Sequence, residues 1–315
     1  MTTGNTDTTT KLLLDLEPVV EANLNRHLAT AKEWFPHEYV PWSQGRDFDG
    51  PLGGEAWEPG QSKLSEVART SLIVNLLTED NLPSYHYEIA TRFGRDGAWG
   101  TWVHRWTAEE GRHGIAIRDY LLATRAVDPI ALERARMTHM EGGFETDHPD
   151  VLGALAYVSF QELATRVSHR NTGRISGDPV CDALLAKVAA DENLHMLFYR
   201  NLLTAAFELA PDDTMAAITR VVKNFQMPGH TIENFGRKSV QIAVAGIYDL
   251  RIHHDEVVMP VLRQLKALER ANLSPEGEKH REELVEFLAE LDRQATRFED
   301  KRAAAQARAA ARTAA

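Results

Sequence analysis

The chain has 315 residues, a formal net charge of −11 and 43% hydrophobic residues, enough to bury the core of a large water-soluble protein. This acidic balance argues against nucleic acid as a partner, because such binding depends on neutralising phosphates with Lys and Arg. A single cysteine, Cys181, excludes an internal disulfide and a thiolate metal cage, and no apolar run is long enough to cross a bilayer, so the cytoplasm is the expected compartment.

Helical periodicity runs through almost the whole chain and predicts an all-α protein. A first helix is expected over residues 12–34, because Pro36 and Pro41 follow it. Residues 42–62 are rich in Gly, Pro and Asp and are expected to form a long loop. That loop is either a cover over a functional site or a plain crossover connection.

Four helices are predicted next, over residues 63–93, 98–124, 151–171 and 179–209. Each carries a glutamate, either alone or three residues before a histidine. In chain order these residues are Glu79, Glu110 with His113, Glu162, and Glu192 with His195. Residues three apart on a helix share a face, so each pair directs a carboxylate and an imidazole to one place. Two such pairs and two single glutamates make up the ligand set of a di-iron carboxylate site.

Chance and helix capping are alternative explanations of these pairs. A third Glu-x-x-His, Glu145 with His148, lies between glycines and a proline that favour a loop, so we attribute it to chance. Thr107 to Glu110 fits a capping box, which would place Glu110 at a helix start. The apolar spacing continues upstream through Trp106, however, and favours an earlier start.

Two features mark helix ends in the rest of the chain. Pro83, four residues after Glu79, is expected to kink the helix beside that ligand or to mark its end. Further helices are predicted over residues 212–225 and 237–251, with a Met-Pro-Gly-His break before the second.

The C-terminal region is predicted to begin with a helix. Ser274 and Pro275 indicate its start, and residues 276–300 form an amphipathic helix that packs on the rest of the protein. Its apolar stripe consists of Leu284, Phe287, Leu288, Leu291 and Phe298. Such a stripe is more often packing than a partner site. Residues 301–315 are rich in Ala and Arg and are expected to be a disordered tail.

The ligand types suit iron or manganese. Carboxylates that bridge hold two metals together, and the single glutamates Glu79 and Glu162 can supply them. Four carboxylates against two divalent metals leave the reduced site near neutral, so it can lie in an apolar core. Such a centre can reduce O₂ and take hydrogen from an unactivated C–H bond, which no side chain can do alone.

At these segments the sequence resembles the soluble acyl-[acyl-carrier-protein] desaturases, the plant plastid stearoyl-type enzymes and their actinobacterial relatives. The matching segments are TEDNLPSYHYE, WTAEEGRHG, SFQELATRVSHRNT and AADENLHM. The similarity extends in order from about residue 14 to residue 260. It implies a ferritin-like four-helix di-iron bundle core with additional helices, which we place within residues 1–275.

The resemblance also implies the roles of individual residues. The iron ligands would be Glu79, Glu110, His113, Glu162, Glu192 and His195. Thr165 matches a threonine on the oxygen-binding side of the cluster, although helix threonines commonly bond their own backbone. Asp191 matches an acid that orients a ligand histidine. Trp34 matches a surface tryptophan proposed to pass electrons inward, although on its own it would be assigned to packing.

Three departures from the plant enzymes leave the ligands intact. The connection RFGRDGAWGTW is shorter, Gly111 stands where those enzymes have Asn, and Asn193 with Leu194 replaces a basic pair. They leave open the acyl chain length, the position of the double bond and the surface that meets the carrier protein.

The expected reaction is O₂-dependent removal of two vicinal hydrogens from an acyl chain held on acyl carrier protein, in fatty acid biosynthesis. The resemblance implies two iron ions per subunit, ferredoxin as electron donor and a homodimer. Alternative functions are a di-iron oxygenase that hydroxylates a carrier-bound substrate, a ferritin-type iron-storage protein, and a helical scaffold without metal.

An acidic carrier protein needs a cationic docking surface despite the net charge of this chain. The candidates by clustering are Arg220, Lys223, Arg237 and Lys238. Ordinary solvated helix charges are the alternative explanation for each of them.

Overall fold

The computed structural model describes residues 3–144, 148, 150–229 and 231–313, and these residues are mostly helical. The helices are α1 (Thr3–Thr30), α2 (Glu66–Asp80), α3 (Leu82–Phe93), α4 (Gly97–Ala123), α5 (Pro129–Gly142), α6 (Val151–Ser176), α7 (Pro179–Leu209), α8 (Pro211–Lys223), α9 (Phe235–Val244), α10 (Leu250–Ile252), α11 (Met259–Leu265) and α12 (Pro275–Thr313). A π-helical segment, His253–Val258, joins α10 to α11. The described ranges contain no strand, only one isolated bridge. The predicted all-α fold is confirmed.

Helices α2, α4, α6 and α7 form a bundle. Helix α2 packs against α4 and α6, and α7 packs against α6 and α4, while α1 lies against α4 and α7. The carboxylates of Asp150 and Asp178 accept main-chain N–H bonds at the starts of α6 and α7. Such caps satisfy donors that the first turn of a helix leaves unpaired, and so they fix where each helix begins.

The break predicted at Pro83 is present. Helix α2 ends at Asp80, Asn81 lies between the helices, and Pro83 is the second residue of α3. Proline is tolerated there because the N–H groups of the first helical turn have no acceptor within the helix, so the missing N–H of proline costs no hydrogen bond. Glu79 therefore lies in the last turn of α2.

Several boundaries differ from the prediction, and one helix was not predicted. Helix α1 ends at Thr30, so Trp34 lies beyond it. Helix α9 ends at Val244, because Gly246 adopts a left-handed conformation with φ 74. Helix α5 was not predicted, because few of its apolar side chains are buried and its periodicity is weak. Asp128, which caps α5 ahead of a proline, was the signal that could have revealed it.

Helix α12 packs against α8 through its apolar stripe, of which Leu284, Leu288 and Leu291 are buried. The helix continues through Thr313, which differs from the disorder expected for residues 301–315. Alanine and arginine are strong helix formers. Arg302 is also held to the body of the protein by Asp249, at 2.6 Å. The last two residues lie outside the described part of the chain.

The long loop over residues 42–62 is held in place by Arg125, which follows α4 and is buried. Its guanidinium donates to the main-chain oxygens of Asp47, Glu55 and Ala56 and to the side chain of Gln61. Within the described ranges, no helix combines the length and apolar character needed to cross a membrane.

Candidate metal centre

The four bundle helices bring the six predicted ligands together in the interior. Helix α2 supplies Glu79, α4 supplies Glu110 and His113, α6 supplies Glu162, and α7 supplies Glu192 and His195. All six are buried. Helix α4 begins at Gly97, so Glu110 lies well inside the helix and is not a capping residue. Of the third pair, His148 lies outside the helices and Glu145 lies outside the described residues.

The ligand atoms form two overlapping groups. One consists of Glu79, Glu110, His113 and Glu192, and the other of Glu110, Glu162, Glu192 and His195. In each group the ligand atoms lie within 4.8 Å of one another. His113 Nδ1 is 3.4 Å from Glu110 Oε2 and 3.3 Å from Glu192 Oε1. His195 Nδ1 is 2.7 Å from Glu110 Oε1.

Glu110 and Glu192 belong to both groups, whereas Glu79 and Glu162 belong to one each. This corrects the expectation that the single glutamates bridge. Spacing along a helix shows that a glutamate and a histidine share a face, but it does not show which carboxylate lies between the two groups.

Several of these buried atoms make no hydrogen bond within the described part of the chain. They are Glu110 Oε1, His113 Nδ1, Glu162 Oε2, Glu192 Oε1 and His195 Nδ1. Buried polar atoms are normally paired, and a set of orphaned carboxylate oxygens and imidazole nitrogens at one place is the donor set of a metal site. The residues therefore fit a pair of iron or manganese ions.

The electrostatics of the cluster also favour cations. Burial raises the pKa of Glu162 well above its usual value, and the charges of Glu110 and Glu192 raise it further. Burial lowers the pKa of His113 and His195, but the surrounding carboxylates outweigh it and hold both pKa values well above normal. The crowded negative charge thus retains protons, and bound metal ions can replace them.

Asp191 connects His113 to Trp34. Its Oδ2 lies 3.5 Å from His113 Nε2 and accepts a 2.6 Å hydrogen bond from Trp34 Nε1. Burial alone would raise the pKa of Asp191, but His113, Trp34 and Lys187 lower it to about 2. Trp34 is only 2% exposed, which differs from the surface position expected for it. The hydrogen bond to Asp191 draws its indole inward.

Three partners of the ligands were missed from the sequence, and one of them is Trp106, whose Nε1 donates to Glu162 Oε1 at 3.0 Å. His169 Nε2 lies 2.8 Å from Glu79 Oε1. Glu109 Oε2 lies 2.9 Å from His195 Nε2, on the side of that ring away from the other carboxylates. Glu109 is buried and directly precedes the predicted ligand Glu110, but the three-residue spacing to a histidine selects Glu110 and not Glu109. His169, two turns after Glu162 on α6, had no spacing signal of its own.

Thr165 lies where a hydroxyl can meet the ligands. Its Oγ1 is 2.9 Å from Glu192 Oε2 and 3.0 Å from the main-chain oxygen of Glu162. A hydroxyl has one proton to donate, so the structure allows either the ligand contact or the bond to its own helix.

Two cavities meet beside the cluster. The first is lined by the ligands Glu79 and Glu110 and by apolar and aromatic side chains such as Tyr157. The second extends along α9. Thr78 and Thr165 line both cavities. The first cavity therefore brings apolar and aromatic side chains next to the ligands Glu79 and Glu110.

The four candidate docking cations are partly neutralised. Arg220 pairs with Asp150 at 2.8 Å and Lys223 with Glu283 at 3.1 Å. Lys238 donates to the main-chain oxygen of Glu233, and Arg237 is exposed. Arg237 and Lys223 are thus the two exposed members of the four, and Lys223 is engaged by Glu283.

Comparison with known proteins identifies relatives over nearly the whole chain. The sequence profile of the family described as fatty acid desaturase matches residues 8–314. A protein of Mycobacterium tuberculosis H37Rv named as an acyl-[acyl-carrier-protein] desaturase, DesA1, is 53% identical over 297 residues, covering 92% of this chain and 88% of its own. The chloroplastic stearoyl-[acyl-carrier-protein] 9-desaturase of Gossypium hirsutum is 28% identical over 314 residues, covering 92% and 77%.

A solved structure agrees with the sequence relatives. The X-ray structure of the M. tuberculosis H37Rv acyl-ACP desaturase DesA2 matches with a TM-score of 0.70 and 33% identity, covering 86% of this chain and 99% of its own. That fold is ferritin-like, as the resemblance implied. The chain therefore belongs to the fatty acid desaturase family and is an oxidoreductase of that family.

Proposed function

We propose that this chain is an O₂-dependent acyl-[acyl-carrier-protein] desaturase that introduces a cis double bond into a saturated acyl chain held as a carrier-protein thioester. The observation that carries the proposal is the junction of two ligand groups, which share Glu110 and Glu192, with an apolar cavity. The names of the DesA1 and stearoyl relatives support the substrate class.

Two iron ions held by the six ligands would supply the reduction of O₂ and the removal of hydrogen from an unactivated C–H bond. The balanced reaction takes a –CH₂–CH₂– unit, O₂, two electrons and two protons to –CH=CH– and two waters. The chain itself holds the acyl group in the cavity past Thr78 and Thr165, so that internal carbons lie nearest the ligands. Burial of the ligands keeps bulk water from them.

The route for electrons is part of the proposal. Trp34, Asp191 and His113 form a line of contacts toward the cluster: Trp34 Nε1 donates to Asp191 Oδ2, which lies 3.5 Å from His113 Nε2, and Arg112 lies over the Trp34 ring at 5.0 Å. Such a line suits electrons delivered by reduced ferredoxin. Thr165 would assist O₂ chemistry through its position beside Glu192.

The proposal also includes fatty acid biosynthesis as the process and a homodimer as the assembly. Acyl carrier protein would dock on a cationic surface that includes Arg237. The single buried cysteine suits a reducing compartment such as the cytoplasm.

A direct assay tests the proposal. Purified protein is loaded with iron and incubated with acyl carrier proteins bearing chains of several lengths, ferredoxin, its reductase, NADPH and O₂, and the products are analysed by mass spectrometry. We expect a product two hydrogens lighter, with its new double bond inside the chain. A gain of one oxygen would instead identify a hydroxylase, and unchanged chains throughout the series would refute the proposal.

A further inference from the structure

A buried histidine outside the four bundle helices reaches toward the candidate metal centre. His27 lies on α1 and is 4% exposed. Its Nε2 is 2.9 Å from Glu109 Oε2, and the same oxygen is 2.9 Å from His195 Nε2. The carboxylate oxygen of Glu109 therefore lies between two imidazoles, one on α1 and one on α7.

The other oxygen of Glu109 is held by arginine. Arg105 Nε donates to Glu109 Oε1 at 2.6 Å, and Arg112 Nη2 is 3.8 Å from the same atom. A carboxylate that is paired with arginine only accepts hydrogen bonds, so both Nε2 atoms that face Glu109 Oε2 carry a proton.

This protonation pattern leaves His195 Nδ1 as the atom that can ligate. His195 Nδ1 faces Glu110 Oε1 and Glu162 Oε2, at 2.7 and 3.6 Å. Ligand histidines commonly donate their second N–H to a carboxylate, which fixes the tautomer and the ring orientation. On the other side of the cluster, Asp191 Oδ2 faces His113 Nε2 at 3.5 Å.

The ring of His27 is itself fixed by packing. It lies edge-on to Trp102, with centroids 5.0 Å apart at 85°, and it stacks on His195 at 5.8 Å. Its Nδ1 makes no hydrogen bond within the described residues, so its one polar contact there is with Glu109. A buried imidazole with a single partner is oriented for that partner.

We propose that His27 is a positioning residue of the metal centre, which holds Glu109 Oε2 against His195 and thereby keeps Nδ1 of His195 directed at the ligand cluster. This inference rests on the proposed di-iron function and adds a residue to it. Without the donor on His27, the two arginines are free to draw the Glu109 carboxylate away from His195.

The test is metal binding to the metal-free protein, with Co²⁺ as a spectroscopic probe. His27→Leu removes the donor and keeps an apolar side chain, His27→Gln keeps an N–H donor, and His37→Leu is a control at an exposed histidine. Circular dichroism confirms that each variant is folded. We expect His27→Leu to weaken Co²⁺ binding at one of two sites about tenfold, the lower end of what such partners contribute. His27→Gln should recover most of that loss.

Proton NMR of the Co²⁺-loaded protein supplies a readout that packing alone would not change. We expect two shifted, exchangeable ring N–H signals, one from each metal-bound histidine. In His27→Leu one signal should broaden through faster exchange with water while the other is unchanged.

Two results would overturn the inference while leaving the metal centre intact: two-site binding and both signals unchanged in His27→Leu, or a His27→Gln variant as impaired as His27→Leu. A wild-type protein that binds no Co²⁺ would refute the metal centre itself. Neither the Co²⁺ titration nor the NMR measurement requires desaturase activity. An error in the proposed substrate would therefore not affect either result.

Discussion

Glu110 and Glu192 are the two side chains that join the ligand groups into one centre. Each is followed three residues later by a histidine on the same face of its helix, and each belongs to both groups of ligand atoms. Glu79 and Glu162 complete one group each. Because Glu110 and Glu192 would each serve both metals, the loss of either should affect the whole centre rather than half of it.

Loss of a glutamate that belongs to both groups should release more metal than loss of one that belongs to a single group. After loading with Fe²⁺ without oxygen, Glu192→Ala is expected to lose most of both metals, whereas Glu79→Ala should lose chiefly one. Elemental analysis of iron per chain measures this, and Glu286→Ala, at an exposed position on α12, serves as the control. Equal iron loss from Glu79→Ala and Glu192→Ala would contradict the assignment of Glu192 as a shared ligand.

A substitution at Trp34 tests whether this residue passes electrons or only packs. Trp34→Phe keeps an aromatic ring but removes the hydrogen bond to the ionised carboxylate of Asp191, at a cost in stability of about 1.5–3 kcal/mol. If Trp34 passes electrons, turnover with ferredoxin should slow while iron content stays the same. A single turnover after chemical reduction should proceed at the wild-type rate. Loss of iron, or an equal slowing of both reactions, would assign Trp34 to packing.

At the scale of helices, the convergence of Glu110 with His113 and of Glu192 with His195 could be predicted because helical geometry turns a three-residue spacing into a shared face. The break at Pro83 is also local in sequence, whereas Glu79 and Glu162 were inferred from their repeated distance to the pairs and from the family resemblance. His27 and His169 could not be found this way. Their contacts with Glu109 and Glu79 join residues 82 and 90 positions apart, and no local pattern encodes such a pairing.

Helix α12 illustrates what an amphipathic pattern predicts well. Leu284 is fully buried, whereas the adjacent Val285 is 48% exposed. Leu284→Ala is expected to lower the free energy of unfolding by about 2–5 kcal/mol, because it leaves a cavity between α12 and the body of the protein. Val285→Ala should change it by no more than about 0.5 kcal/mol. Denaturant titration measures both, and similar values would contradict the packing of this face.

Across the whole molecule, the bundle encloses charge that its own side chains do not balance. Four carboxylates and two imidazoles lie buried at one place, and burial together with Glu192 raises the pKa of Glu110. Several of their atoms have no hydrogen-bond partner within the described ranges. The fold therefore carries a local energetic cost that bound cations offset, and stability and function are coupled through the same residues.

The last prediction follows from that coupling. Metal at about 100 times its dissociation constant stabilises a folded protein by about 2.7 kcal/mol, so removal of iron should lower the melting temperature by several degrees. Glu162→Gln should behave oppositely: the metal-free variant should melt above the metal-free wild type, because a neutral amide relieves the cost of a buried carboxyl whose pKa is raised by burial and by the charges of Glu110 and Glu192, and added metal should stabilise it less than the wild type. Calorimetry on both proteins, with and without metal, measures the four values, with Glu286→Gln as the control. A wild type whose melting temperature is the same with and without iron would contradict the idea that metal balances the buried charge.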